Sequence, residues 1–190
     1  VTVFEVADGQ VRHELPADED GINVLAFHPS QNLIATGGQD GAVKLWDATA
    51  GQQTASVDVG GGWIDHLAWS LDGSKLAAAA GRSLVFLNPD GSNHHTFMPA
   101  PKTISAIAWQ PAGGCLAAAY FGGVIMWDAD DFIPQHEFAY ANGINTLAWS
   151  SDNRWLVSGN QDPQRASLAP RKRGRVSHER LRNEGETHLL

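Results

Sequence analysis

The chain has 190 residues, a formal net charge of −8, 43% hydrophobic and 18% charged residues, and a single cysteine, Cys115. That length fits one domain or two, and the lone cysteine excludes a disulfide framework or a multi-cysteine metal site. No run approaches the ~20 apolar residues of a membrane span, and Val1–Val6 shows no basic stretch followed by an apolar core, so neither a membrane anchor nor a secretory leader is expected and a cytoplasmic location is. Val1 in place of a methionine reads as a processed chain or a fragment.

The charge is uneven. Residues 1–162 carry six Lys/Arg against eighteen Asp/Glu, a net of −12. Residues 163–190 carry seven Lys/Arg against three Glu, a net of +4. The two stretches have different chemistry.

In chain order, Val1–Glu5 and Val11–Leu15 read as two short strands. Ile22–Phe27 is a third, rich in apolar and β-branched residues. His28-Pro-Ser-Gln-Asn32 has turn chemistry, and Leu33–Gly37 is a strand of small and apolar residues. Asp40-Gly41 marks a tight hairpin before Ala42–Asp47. A more polar strand, Gln53–Val57, suits a sheet edge. This four-strand plan then recurs. Unit two places strands at Ile64–Trp69, Leu76–Ala80, Leu84–Asn88 and His94–Phe97. Unit three places them at Ile104–Trp109, Leu116–Tyr120, Val124–Asp128 and Glu137–Phe138. Unit four keeps Ile144–Trp149 and Trp155–Ser158. The leading isoleucines Ile22, Ile64, Ile104 and Ile144 are 42, 40 and 40 residues apart. A fixed period of this length signals a stacked or radial repeat.

Leu33-Ile-Ala-Thr-Gly-Gly-Gln-Asp-Gly-Ala-Val-Lys-Leu-Trp-Asp47 and Val124-Ile-Met-Trp-Asp128 resemble the repeats of the WD-repeat β-propeller family. The resemblance covers residues 1 to about 162. It implies an all-β partial β-propeller of about four four-stranded antiparallel blades, with a non-propeller C-terminal tail. The propeller portion is expected over 1–162, with units near 1–20 (partial), 21–60, 61–102, 103–142 and 143–162 (partial). The basic tail, 163–190, is expected to be disordered, because it has too few large apolar groups to bury a core. The family's first strand lies innermost, so Ala26, Ala68, Ala108 and Ala148 are expected in crowded positions. Thr36, Asp40, Trp46, Asp47, Trp127 and Asp128 are the residues that match the repeat's structural positions.

The pattern also departs from the family. The glycine–histidine pair that usually precedes the first strand is missing, and units two and three lack the hairpin aspartate. The internal network is therefore incomplete, and only unit one keeps three candidate members, Thr36, Asp40 and Trp46. The repeats are fewer than the four to eight blades of a closed ring, and unpaired blade edges would invite self-association. After Asp162 the repeat breaks inside a hairpin. The tail reads either as out-of-frame or chimeric sequence, or as a natural basic extension.

The resemblance implies a non-catalytic protein-protein interaction scaffold. Its loops joining fourth to first strands, and second to third strands, line one face where protein or peptide partners dock. Trp63, Arg82, Tyr120, Phe121 and Asn142 are the partner-binding candidates, since aromatics and arginine dominate interface hot spots. The bland alternative for Tyr120 and Phe121 is that they fill the gap left by the missing network. His94-His95 are adjacent on a strand and so point to opposite faces, which disfavours a shared metal ion. No nucleophile elbow appears, and Gly60-Gly-Gly62 lacks the Lys-Ser/Thr of a phosphate-binding loop. No catalytic residue, cofactor or metal is therefore expected. Two other readings stay open: a regulatory module of a larger enzyme, and nucleic-acid binding through Arg171-Lys-Arg-Gly-Arg175. The acidic propeller portion argues against a nucleic-acid surface there.

Overall fold

Short apolar runs divided by turns fold back as hairpins, and a computed structural model shows this along the chain. It describes residues 1–16, 20–60, 62–161 and 169–170; the tail expectation otherwise lies outside them. Every regular element among the described residues is a strand. β1 (Thr2–Phe4) and β2 (Val11–Glu14) pair as a half-blade. β3 (Ile22–Phe27), β4 (Leu33–Gly38), β5 (Ala42–Asp47) and β6 (Gln52–Asp58) form the first full blade. β7 (Ile64–Trp69), β8 (Leu76–Ala80), β9 (Ser83–Leu87) and β10 (Asn93–Thr96) form the second. β11 (Ile104–Trp109), β12 (Cys115–Tyr120), β13 (Gly123–Asp128) and β14 (Pro134–Ala139) form the third. β15 (Ile144–Trp149) and β16 (Leu156–Asn160) form a further half-blade, and β17 (Ala169–Pro170) lies against β14. All pairings are antiparallel. The expected strands agree to within two residues except β14, which is four residues longer than the Glu137–Phe138 read from sequence.

The inner strands β3, β7, β11 and β15 adjoin one another in turn. Each carries a bulge at its second residue: Asn23, Asp65, Ser105 and Asn145. All four are polar. A bulge releases one residue from the ladder and bends its strand, and here the released residues bridge neighbours. The Asn23 amide donates to Asp65 Oδ1 at 3.3 Å, and the Ser105 hydroxyl donates to the Ile144 carbonyl.

Alternation along the middle strands sends side chains into two different cores. In the first blade Ala35, Val43 and Leu45 face the second blade, meeting Ile64, Leu76 and Val85. Their neighbours Ile34 and Trp46 face the leading half-blade and Leu15. In the second blade Ala77, Ala79 and Phe86 meet Ile104, Leu116 and Ala118 of the third. Ala117, Ala119 and Val124 then meet Ile144 and Tyr140. The second strands β4, β8 and β12 are therefore buried at every residue. Crowding falls on these strands, which corrects the expectation placed on the inner-strand alanines. Ala26, Ala68 and Ala108 are only half-buried, and Ala148 is exposed.

Those inner alanines act through their carbonyls instead. Trp69 Nε1–H donates to Ala26 O at 3.4 Å, Trp109 to Ala68 O at 2.8 Å, and Trp149 to Ala108 O at 3.1 Å. Each indole thus ties its blade to the preceding one. His28, only 4% exposed, adds a second tie between the first two blades. Its Nδ1 accepts the N–H groups of Ser30 and Gln31, which leaves Nε2–H to donate to Gly73 O at 3.0 Å.

The turns that join first to second strands and third to fourth strands are held by carboxylates. Asp72 accepts the hydroxyls of Ser70 and Ser74 and the Ser74 N–H, which holds its pKa down to about 2. Backbone N–H donors likewise lower Asp47 and Asp128, and serine side chains foremost lower Asp90 and Asp152. Burial lowers the His66 pKa as well, here by favouring the neutral ring.

Two outcomes follow. A Cβ at Gly37 would lie 2.4 Å from Cγ2 of fully buried Ile64. Gly37→Ala is therefore expected to destabilise the fold by about 1–3 kcal/mol in urea unfolding; an unchanged midpoint would refute the close approach of these blades. Stability against pH should also fall in two stages. Both kinds of group have folded pKa values below their unfolded ones, so each contributes stability that is lost on acidification. His66 contributes above the ordinary histidine pKa of about 6.5 and loses that contribution as pH drops below it. The turn aspartates lose theirs as pH falls from about 4 toward about 2. Thermal melts across this range check it, and His66→Gln should remove only the upper stage.

Candidate partner-binding face

The loops that leave each outer strand and the hairpins joining each second and third strand meet at one end of the blades. Backbone hydrogen bonds staple the two sets together. Gln39 N–H donates to Gly21 O, Val59 to Gly41 O, Ala100 to Arg82 O and Ile104 to Gly81 O. Tyr140 N–H donates to Gly122 O, and Gln161 to Gly143 O. These bonds run from 2.7 to 3.2 Å, so the face is a fixed surface rather than a fringe of loose loops.

The sequence candidates behave differently on it. Trp63 and Phe121 stand out into solvent, 57% and 58% exposed. Arg82 is exposed but its Nε–H donates to Ala100 O at 2.6 Å, so it braces the neighbouring loop. Tyr120 is buried, and its hydroxyl donates to Glu137 Oε1 at 3.1 Å. It reaches that carboxylate across Gly123, where an added Cβ would lie 3.2 Å from the Tyr120 hydroxyl and 2.3 Å from Phe138 O. Asn142 is half-buried on the loop entering β15. Asp18 and Glu19 lie outside the described residues. Sequence reasoning overlooked Met98, 82% exposed on the loop entering β11. Its position in that loop was the available signal.

The repeat-position residues hold the blades. Trp46 Nε1–H donates to Thr36 Oγ1 at 2.9 Å, both fully buried. Asp40 binds elsewhere: Oδ1 accepts Ala42 N–H at 3.0 Å and Oδ2 pairs with Lys44 Nζ at 2.6 Å. Asp47 accepts the N–H groups of Thr49 and Ala50, and Asp128 those of Asp130 and Asp131. Trp127 packs on Phe97, ring centroids 4.8 Å apart.

His94 and His95 correct the alternation argument. A bulge skips His94 in the pairing of β10 with β9, so both rings reach Phe132, at 5.4 and 4.1 Å. His95 stacks on it face to face. Among the described residues no group of three or more His, Cys, Asp or Glu side chains converges as a metal site.

Radially packed four-stranded antiparallel blades with stapled loops define a β-propeller arc. The WD domain, G-beta repeat family matches residues 9–47 and 132–163. The unmatched stretch between them contains both hairpins that lack the aspartate, those of units two and three. Among relatives, WD repeat-containing protein SL1-17 of Schistosoma mansoni is 26% identical over 120 residues, 63% of this chain and 40% of that protein. Autophagy-related protein 16 of Arabidopsis thaliana is 25% identical over 154 residues, 79% of this chain and 30% of that protein. Small ribosomal subunit protein RACK1y of Oryza sativa subsp. japonica is 26% identical over 141 residues, 70% of this chain and 42% of that protein. The chain carries WD-type repeats over the matched residues and is similar to these WD-repeat proteins, and it spans less than half the length of each of these relatives.

Thr36→Val keeps the shape of the first blade but leaves the buried Trp46 N–H without its acceptor. A loss of about 1–3 kcal/mol is expected in chemical unfolding. Trp46→Phe in the Thr36→Val background should then cost less than it does alone; additive costs would show that the pair is not coupled.

Proposed function

We propose that this chain is a non-catalytic protein-interaction scaffold that holds a partner segment across the stapled loop face. The observation that carries this reading is the exposure of Trp63 and Phe121 on a surface whose backbone is already hydrogen-bonded. Large aromatics fixed in place lose little freedom on binding, which is why such residues serve as anchors. Met98 at the rim adds adaptable apolar surface. Arg82 and Tyr120 support the face through their bonds to Ala100 and Glu137. One relative, RACK1y, is by name a small ribosomal subunit protein, which agrees with a binding role. Among the described residues no helix is long and apolar enough to cross a membrane.

The test compares quantitative partner capture by the unaltered chain, by Trp63→Ala with Phe121→Ala, and by Val6→Ala, which is 96% exposed and off the face. A partner held at this face should lose about 2 kcal/mol or more per anchor, near thirtyfold in affinity. Equal capture by all three proteins would rule the face out. Met98→Ala should cost less than either aromatic substitution.

A further inference from the structure

The candidate face divides by charge along the order of its blades. At the first blade and its junction with the second, Asp20, Asp40, Asp58 and Asp65 are exposed at this end. The first blade's ammonium, Lys44, already pairs with Asp40 at 2.6 Å. Trp63 stands in this acidic sector. Val59 N–H donates to Gly41 O, and a Cβ at Gly41 would lie 3.1 Å from Gly62 O, so the loop that carries Trp63 lies on the hairpin that carries Asp40. Asp65 follows on the next strand, held by the Asn23 amide.

The following junction has the opposite sign. Arg82 and Lys102 are both exposed there. Ala100 N–H donates to Arg82 O and Ile104 N–H to Gly81 O, which fastens the Lys102 loop to the Arg82 hairpin. Arg82 commits Nε–H to Ala100 O and keeps its Nη groups for a ligand. Lys102 makes no ion pair among the described residues. On the third blade the carboxylate nearest this end, Glu137, accepts the Tyr120 hydroxyl, and Phe121 projects from the next hairpin. In blade order the face presents an indole among carboxylates, then two cations, then a second aromatic ring. A cation over an indole face gains from the ring quadrupole, and carboxylates beside it add to that attraction. Guanidinium and ammonium groups in turn recognise carboxylates.

We infer that the partner is an extended peptide segment of mixed charge: a lysine or arginine seated on Trp63, an aspartate or glutamate at Arg82 and Lys102, and an apolar residue on Phe121. This rests on the loop face being the docking surface, as proposed above. The rings hold the segment and the charges set its register, because a segment shifted along the face meets like charge.

A random-peptide display library selected on the full chain supplies the probe, and the kinetics of the enriched peptide are then measured. The enriched peptides are expected to carry a basic, an acidic and an apolar residue in that order or its reverse. Lys102→Glu should slow association about tenfold and leave dissociation nearly unchanged, with the difference shrinking at high salt. Replacing the peptide's acidic residue by lysine should slow its association with the unaltered chain, and Lys102→Glu should restore it. Asp58→Asn keeps an acceptor for the Gly60 N–H and should weaken only peptides that carry the basic residue. Peptides that depend on Trp63 and Phe121 but show no charge order, or an association rate indifferent to Lys102→Glu, would overturn this inference and leave the face as the docking surface. Peptides indifferent to Trp63→Ala and Phe121→Ala, or a selection that enriches none, would overturn both.

Discussion

The structure depends on one constraint: the second strand of each full blade is buried on both faces. Leu76-Ala-Ala-Ala-Ala80 shows it most plainly, with no residue more than 1% exposed. A sheet apolar on both sides has no stable existence alone in water, so each blade needs a neighbour on either side. Small side chains let two sheets approach from opposite directions at once. Alanine suits these strands for that reason, despite its weak intrinsic preference for β structure.

The inner-strand bulges solve the geometric problem that this packing creates. Sheets stacked face to face would form a straight pile unless something turned each against the last. Asn23, Asp65, Ser105 and Asn145 each release one residue from the ladder at the same place. Local twist rises at a bulge, and the side chains of Asn23, Asp65 and Ser105 find partners across the gap. Asn23, Asp65 and Ser105 therefore both shape the inner strands and join them.

Much of this was legible in the sequence because the repeat amplifies weak signals. One Ile-x-x-Leu-Ala-Trp run is ambiguous, whereas four at a fixed spacing locate the inner strands almost to the residue. Features that break local rules were not legible. The bulge in β10 defeats alternation and brings His94 and His95 onto one ring. The alanine carbonyls that receive the indoles are backbone groups with no residue signature, so the alanines were credited with crowding they do not have. β14 was read short because Pro134, Gln135 and His136 have poor strand propensity, and pairing with β13 overrides it. On the candidate face, composition singled out aromatics and arginine but could not tell Trp63 and Phe121, which project, from Tyr120, which turns inward to a carboxylate.

The indole ladder has a polarity. Trp69, Trp109 and Trp149 each reach back to a carbonyl about forty residues earlier, on the blade before. As synthesis proceeds from the amino end, every donor leaves the ribosome after its acceptor's strand has been made. Each blade can dock onto the one before it as it is completed, and the blade that follows then covers its other face, so the growing arc is its own template. Position 27 holds phenylalanine where the later units hold tryptophan. The first full blade sends no indole N–H backward from that place, and the series of indole-linked blades begins there.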